Sequence, residues 1–151
     1  MLPAYQFLFL ALFILPAVFF LITLQNTLKA ISPENRKMPF ANIWFLCIPF
    51  FNFYWQFVVV NKIAQSIALE CEKLHIPVKE TKPTFKLGLT WCICYILFLI
   101  PIIKLWTAII IIPTWIVYWI KVNQYRKLII QNQNSFLYDA ERNIFHADNV
   151  L

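Results

Sequence analysis

The chain has 151 residues, of which 61% are hydrophobic and only 13% are charged, and its mean hydropathy is +0.66. A soluble domain of this size cannot bury so much apolar surface, so the composition excludes an ordinary soluble fold and predicts an all-α integral membrane protein of one domain. The net charge of +6 then indicates basic loops beside anionic lipid headgroups rather than nucleic-acid binding, and the lipid bilayer is the first expected partner.

Four apolar segments predict a four-transmembrane-helix bundle, because a membrane-crossing helix needs about 20 apolar residues. The segments are 2–24, 40–60, 86–103 and 105–122. The first has no basic residue before it and no small-residue cleavage site, which favours a retained span over a signal peptide. The last two come from one apolar block interrupted near Pro101 and Lys104, so a re-entrant hairpin is the alternative to two short crossings.

Amphipathic helical extensions are predicted after spans two and four. In the first extension, residues 61–76, one stripe is formed by Ile63, Ile67, Cys71 and Leu74. The second extension covers residues 122–133, where Val122, Tyr125 and Ile129 repeat the pattern. The C-terminal tail, residues 134–151, contains one more apolar pattern and is expected to add a short docking helix.

Basic residues predict the orientation. If the four segments cross in turn, nine Lys and Arg residues lie on the side of residues 61–86 and the C-terminal tail, and four lie on the other side. This excess predicts that both termini are cytoplasmic. The first span alone argues for the reverse, since the only basic residues near it follow it.

The second span has no charge, yet it contains Pro49, Asn52 and Gln56. Their spacings of three and four residues place them on one face of a helix. The side chains expected at a similar depth in the other spans are Gln6, Thr90 and Tyr118. Together they predict an intramembrane polar layer, which either fixes the helix register through hydrogen bonds or lines a small hydrophilic cavity with Asn52 deepest.

The loop SPENRKM, residues 32–38, carries a local helix-start signal. Ser32 is the expected N-cap, Pro33 the first helical residue, and Glu34 an acidic residue near the positive helix end. Contacts of Glu34, Asn35 and Arg36 with helix ends are the expected role of this loop. The alternative is a corner at which a partner docks.

The run from Leu24 to Ile67 contains PENR-M, then a tryptophan, then IP-FN--WQF-VV. This block resembles a family of small, uncharacterised bacterial multi-pass membrane proteins, a domain of unknown function. The resemblance implies several spans in the cytoplasmic (inner) membrane of a bacterium and no assigned activity. Its signature residues are Pro33, Glu34, Asn35, Arg36, Trp44, Pro49, Asn52 and Gln56, and this chain departs from the family at Ala41, where relatives often carry glycine.

Residues with catalytic chemistry are scarce. Cys71 and His75 have the spacing of half a metal site, but no second pair follows, and no predicted span contains an acidic residue. We therefore expect no catalytic residue, no metal and no cofactor. The predicted function is a non-catalytic membrane scaffold or accessory subunit that binds another membrane protein or itself. The alternative is a small channel, or a solute or lipid carrier, built on proline-bent helices and the polar layer around Asn52 and Gln56.

Overall fold

A computed structural model describes the backbone of residues 4–78 and 80–148, and this part of the chain contains five helices and no strand. The prediction of an all-α protein is therefore confirmed. The helices are α1 (Ala4–Ala30), a 3₁₀-helix (Phe40–Cys47), α2 (Phe51–Lys73), α3 (Phe85–Leu97) and α4 (Lys104–Asp148). Residues 2, 3 and 149–151 of the predicted segments lie outside the described residues.

Among the described residues, one helix is long and apolar enough to cross a membrane. This is α4, over the stretch Lys104–Tyr138. Shorter apolar helical stretches cover Ile14–Ala30 and Phe85–Leu97. The structure thus establishes an all-α protein with one helix of spanning length.

The second apolar segment, residues 40–60, does not form the single helix that its length predicted. The 3₁₀-helix ends at Cys47, the chain turns at residues 48–50, and α2 begins only at Phe51. The amide of Phe51 donates to the carbonyl of Pro49 at 2.8 Å, and Phe50 between them has φ 63°. Such a γ-turn reverses the chain within three residues.

The turn folds the 3₁₀-helix back beside α2. The indole nitrogen of Trp55 donates to the carbonyl of Asn42 at 2.9 Å, and the rings of Phe45 and Trp55 lie 5.6 Å apart. In one continuous helix, Asn42 and Trp55 would be about 20 Å apart. Residues 40–60 therefore form a helical hairpin, with its turn at residues 48–50.

The other helix boundaries differ from the predicted ones in simple ways. The extension after the second segment is continuous with α2, although the helix ends at Lys73. Helix α3 ends at Leu97 instead of residue 103, because the chain turns at residues 98–103 around Pro101. Helix α4 then includes the predicted fourth span, the extension 122–133 and the tail to Asp148 in one helix that Pro113 does not end.

Helices α1, α2 and α4 run in the same direction, whereas α3 runs opposite to them. The side chain of Gln133, two thirds of the way along α4, reaches both Ala30 at the end of α1 and Glu70 near the end of α2. At the start of α3, the position of Gly88 lies against Val60 of α2 and Tyr118 of α4. The core between the helices is formed by buried residues that include Leu24, Leu28, Ile43, Val59, Ile63, Ile67, Tyr118, Val122 and Ile129.

These contacts overturn one topological prediction. Alternate crossings would place the loop at residues 32–38 on the opposite side from residues 61–76 and 122–133. Instead, Ser32 and Asn35 of that loop hydrogen-bond Glu70, which also accepts from Gln133. All three segments lie at one end of the molecule, which we call the polar end, because the hairpin at residues 40–60 returns the chain to the end from which it came.

Candidate functional site

Glu70 is the centre of a polar network at this end of the molecule. It lies on α2, and none of its surface is exposed. Carboxylates are rarely buried unless they have partners, and Glu70 has several. The amide and hydroxyl of Ser32 donate to its two oxygens at 3.2 and 2.8 Å. The side-chain amides of Asn35 and Gln133 donate at 2.8 and 2.7 Å. One carboxylate therefore joins the loop after α1 to helices α2 and α4.

The network also sets the protonation state of Glu70. Burial by itself would raise the pKa of this carboxyl group, since a charged group loses its hydration. The hydrogen bonds from Asn35, Ser32 and Gln133 act in the opposite direction, and the resulting pKa lies below the ordinary value of 4.5. Glu70 is thus ionised near neutral pH.

Further bonds fix the rest of the loop. The amide of Lys37 donates to the hydroxyl of Ser66 on α2 at 2.9 Å. The guanidinium of Arg36 donates to the carbonyls of Ile31 and Lys29 at 3.0 and 3.4 Å and lies over the ring of Phe40 at 5.5 Å. Because the carbonyls at a helix end lack partners within the helix, Arg36 here satisfies the C-terminal end of α1.

The predicted helix start at Ser32 is wrong. Residues 33–35 form a turn, in which the amide of Asn35 donates to the carbonyl of Ser32 at 3.0 Å. The Ser32 hydroxyl donates to Glu70 instead of accepting from a helix amide. The next helix is the 3₁₀-helix, which begins at Phe40.

Glu34 takes part in the network only at its edge. Its carboxylate pairs with the ammonium of Lys73 at 2.6 Å, and the two side chains are 65% and 45% exposed. The hydrogen bond from Lys73 to Glu34 raises the pKa of the lysine. An ion pair this exposed contributes little to stability, because water screens it.

Sequence reasoning singled out Glu34, Asn35 and Arg36 but missed Glu70 and Gln133, which organise them. A signal for Glu70 was present. Glu70 lies three residues after Ile67 and seven after Ile63, on the apolar stripe of the predicted extension. An acidic residue on a stripe that is otherwise buried needs donors nearby, and the loop signature supplies them.

The residues of the predicted polar layer lie in different environments. Gln56 is 1% exposed, and neither its side-chain oxygen nor its nitrogen has a hydrogen-bond partner; Tyr118 is fully buried and its hydroxyl is likewise unpartnered. Thr90 is exposed and bonds the carbonyl of Lys86 in its own helix. Pro49 is in the exposed turn of the hairpin. Gln6 belongs to α1, but its side chain lies outside the described ones.

Gln56 and Tyr118 belong to one interface even though no hydrogen bond joins them. Gln56 is one helical turn before Val60, and both Val60 and Tyr118 lie against the position of Gly88. The one side-chain hydrogen bond that joins two helices at this level, among the described residues, runs from the indole of Trp119 to the hydroxyl of Thr23 at 2.9 Å. Aromatic rings pack this level, since the ring of Tyr118 lies 6.1 Å from those of Phe20 and Trp91.

Asn52 lies on a cavity of about 580 Å³, within the range of about 300–1,000 Å³ typical of ligand sites. The wall is almost entirely apolar and aromatic, and includes Phe20, Trp91, Tyr95 and Trp115. Two further lining residues, Leu12 and Ile112, are 67% and 54% exposed, so the cavity opens onto the apolar outer surface. Its chemistry suits an apolar molecule better than an ion or a polar solute.

The oxygens of Glu70 are already occupied by four donors, so this carboxylate is suited to holding three elements together rather than to moving a proton or binding a metal. The described residues contain no group of three or more His, Cys, Asp or Glu side chains that could hold a metal ion. The chain matches no family model, no curated protein and no solved structure.

Proposed function

We propose that this chain is a multi-pass integral membrane protein that acts as a non-catalytic scaffold or accessory subunit. Its outer surface supports a membrane location. The residues around the turn into α4 are among the most exposed, with Ile102 at 89%, Leu105 at 81% and Ile109 at 70%. Such a surface is favourable against lipid chains, whereas in water it would drive aggregation.

In this proposal the four apolar segments lie in the bilayer, but residues 40–60 enter and leave from the same side. Helix α1 crosses the bilayer, and the hairpin at residues 40–60 is re-entrant. Helix α3 then runs away from the polar end to the turn at residues 98–103, and α4 runs from this turn back to the polar end. Almost every described Lys and Arg then lies towards the polar end, with Lys104 at the start of α4 as the exception. The polar end is cytoplasmic by the positive-inside rule, which places the start of α1 on the opposite side.

The resemblance of residues 24–67 to small bacterial multi-pass membrane proteins supports a bacterial cytoplasmic membrane. In this proposal the loop signature has a structural reason, since Ser32 and Asn35 hydrogen-bond Glu70, while Arg36 satisfies the end of α1. The network would hold α4 in a fixed position at Gln133. That rigidity is what a helix that presents a binding surface needs.

The distal arm, residues 134–148 of α4, is the observation on which the scaffold function rests. It extends α4 by about 22 Å beyond Gln133. Its residues Phe136, Leu137 and Tyr138 are 62%, 60% and 65% exposed. Successive residues point about 100° apart around a helix, so packing against one face of the same bundle would not cover all three. A partner that surrounds the arm would cover them.

Charge favours a second copy of this chain as that partner. The distal arm contains Asp139, Glu141 and Asp148 but only one basic residue, Arg142, which gives it a net charge of −2. Since the whole chain carries +6, the rest carries +8. The arm of one copy is therefore complementary to the basic polar end of another.

Purification of the full chain in mild detergent, followed by native mass spectrometry, tests the proposal. We expect a homo-oligomer that dissociates when Phe136 and Leu137 are both replaced by Asp. The control is Asn134→Asp, which adds negative charge at an exposed position of the arm without removing apolar surface. A foreign subunit in fixed ratio, lost in the same double variant, identifies an accessory subunit instead. A wild-type monomer without any protein partner contradicts the proposal.

The apolar cavity beside Asn52 favours a second candidate function, a carrier of lipids or other apolar solutes. Its volume and its opening onto the outer surface suit a molecule that enters from the bilayer. The same mass spectra distinguish the two functions. An apolar molecule retained once per chain, together with a monomeric protein, supports the carrier.

A further inference from the structure

A second cleft, of about 360 Å³, lies where α3 begins beside the middle of α4. It is lined by Thr84 and Lys86 at the start of α3, by Lys121 and Tyr125 of α4, and by Glu80 of the preceding loop. Unlike the cavity beside Asn52, it combines apolar walls with several charged and hydroxyl-bearing side chains. Neither the scaffold function nor the carrier function uses it.

The start of α3 is unusual because its N-cap side chain caps nothing. Thr84 has the left-handed backbone conformation, with φ 70° and ψ −14°, and its side chain makes no hydrogen bond to the first turn of the helix. A threonine at this position ordinarily accepts a bond from one of the free amides there. The amide of Phe85 donates to the carbonyl of Lys82 at 3.2 Å, and the remaining free amides, together with the helix dipole, give the start of α3 a partial positive charge.

The hydroxyl of Thr84 also lacks a partner outside the helix, which is a sign of a missing ligand beside the charge of the helix start. Thr84 is 6% exposed, and its Oγ1 is buried without any hydrogen-bond partner. A buried hydroxyl normally has a partner, since leaving it without one costs free energy. Because Thr84 lines the cleft, a ligand there with an acceptor oxygen would satisfy its O–H.

The charges around the cleft favour an anion. Lys86 pairs with Glu80 at 3.5 Å, but the two side chains are 81% and 45% exposed, so the pair is weak. Lys121 has no acidic partner among the described residues. The lining thus carries two ammonium groups and one carboxylate, a formal excess of one positive charge, beside a helix N-terminus.

We propose that this cleft binds a phosphate group. Phosphate offers several acceptor oxygens, which match the hydroxyls of Thr84 and Tyr125, the two lysines and the free amides of a helix start. Lys86 and Lys121 are located at the ends of two apolar segments that face the polar end. If the chain is embedded as proposed above, this is the depth of lipid headgroups, so an anionic phospholipid is one source of the phosphate and a soluble phosphate compound is the other.

The test uses the full chain and two probes. Nanodiscs of phosphatidylcholine with phosphatidylglycerol, compared with phosphatidylcholine alone, report lipid binding by native mass spectrometry. Inorganic phosphate titrated against the detergent-solubilised protein, followed by ³¹P NMR, reports binding of the soluble anion and does not depend on membrane insertion or on a protein partner. The variants are Lys121→Gln and Thr84→Val, and the control is Lys127→Gln, which removes an exposed charge from the same helix.

We expect at least one probe to bind once per chain. Lys121→Gln and Thr84→Val should each weaken that binding about tenfold, the order expected when one bond to a charged group is lost, while Lys127→Gln leaves it nearly unchanged. Binding of phosphatidylglycerol with this pattern identifies a lipid site, and binding of inorganic phosphate alone identifies a soluble ligand. Equal effects of the Lys121 and Lys127 variants, or no binding of either probe, would overturn the proposal. Lys121 is exposed, so its variant should remain folded even if Thr84→Val does not.

Discussion

Glu70 shows how a carboxylate can be retained on the buried stripe of a helix. Its charge is unfavourable there by itself, but each hydrogen bond to an ionised group is stronger than one between neutral groups. The donors come from residues up to 63 positions away, as with Gln133. The sequence identified Asn35 as important but not its partner, Glu70. Capping signals involve residues close in sequence, whereas this contact forms only because the hairpin at residues 40–60 brings α2 back to the loop after α1.

Replacing Glu70 by Gln should destabilise the protein by about 2 kcal/mol or more. The bonds to the charged carboxylate are lost, and the side-chain amide of the glutamine places a hydrogen against one of the groups that donate to Glu70. The control is Glu72→Gln, at an exposed position two residues away. Unfolding of both variants in detergent, followed by circular dichroism, measures the difference. Equal stability of the two variants would contradict a structural role for Glu70.

The same carboxylate should make the stability of the wild type depend on pH. Because its pKa is lowered in the folded protein, the stabilisation is fully present above the ordinary value of 4.5 and is lost as the pH falls through the lower value of the folded state. We expect the wild-type unfolding midpoint to fall in this acid range, with a smaller fall for Glu70→Gln. Parallel curves for the two proteins would exclude this contribution.

The hairpin at residues 40–60 is the element that sequence reasoning misjudged most. Its 21 uncharged residues match the length of a span, and Pro49 in such a run predicts only a bend. The reversal depends on the positive φ of Phe50 and on the contact between Trp55 and Asn42, which no periodicity reveals. By contrast, the extension after this segment was predictable, because its apolar stripe has a regular helical period and continues α2.

The packing of α3 depends on Gly88, the one glycine in the chain. A Cβ at this position would lie 2.5 Å from Cγ1 of Val60 and 2.8 Å from Cε2 of Tyr118. Valine has a stiff side chain, and Tyr118 is fully buried, so neither yields easily. The absence of a side chain allows α3 to approach both α2 and α4 closely.

Gly88→Ala should therefore destabilise the protein, although alanine is the better helix former. The gain in helix propensity is about 1 kcal/mol, whereas overpacking costs about 1–3 kcal/mol, and contacts this short favour the upper part of that range. We expect a net loss of about 1–2 kcal/mol in the free energy of unfolding. Thr90→Ala, at an exposed position in the same helix, should change it by less than about 0.5 kcal/mol. A stabilised Gly88→Ala variant would show that α3 packs differently.

At the scale of the whole molecule, the direction of each helix decides which segments share a side. Composition was enough to predict helices and apolar surface, and the loops could be located from their charges. Their assignment to sides depended on the assumption that each apolar segment crosses once. The contacts of Glu70 with Ser32 and Gln133 contradict that assumption. They show that the basic loop at residues 29–37 lies at the same end as the other basic segments.

Cysteine labelling in membrane vesicles tests this arrangement directly. Of the native cysteines, Cys47 is exposed and the other three are buried, so a Cys47→Ser background should react little with a membrane-impermeant maleimide. Glu34→Cys and Lys73→Cys, introduced one at a time, should then react from the same side, because the two side chains are in contact. Lys104→Cys, at the opposite end of α4, should react only from the other side. If Glu34→Cys and Lys104→Cys instead react from one side and Lys73→Cys from the other, the chain makes four alternate crossings and the re-entrant hairpin is excluded.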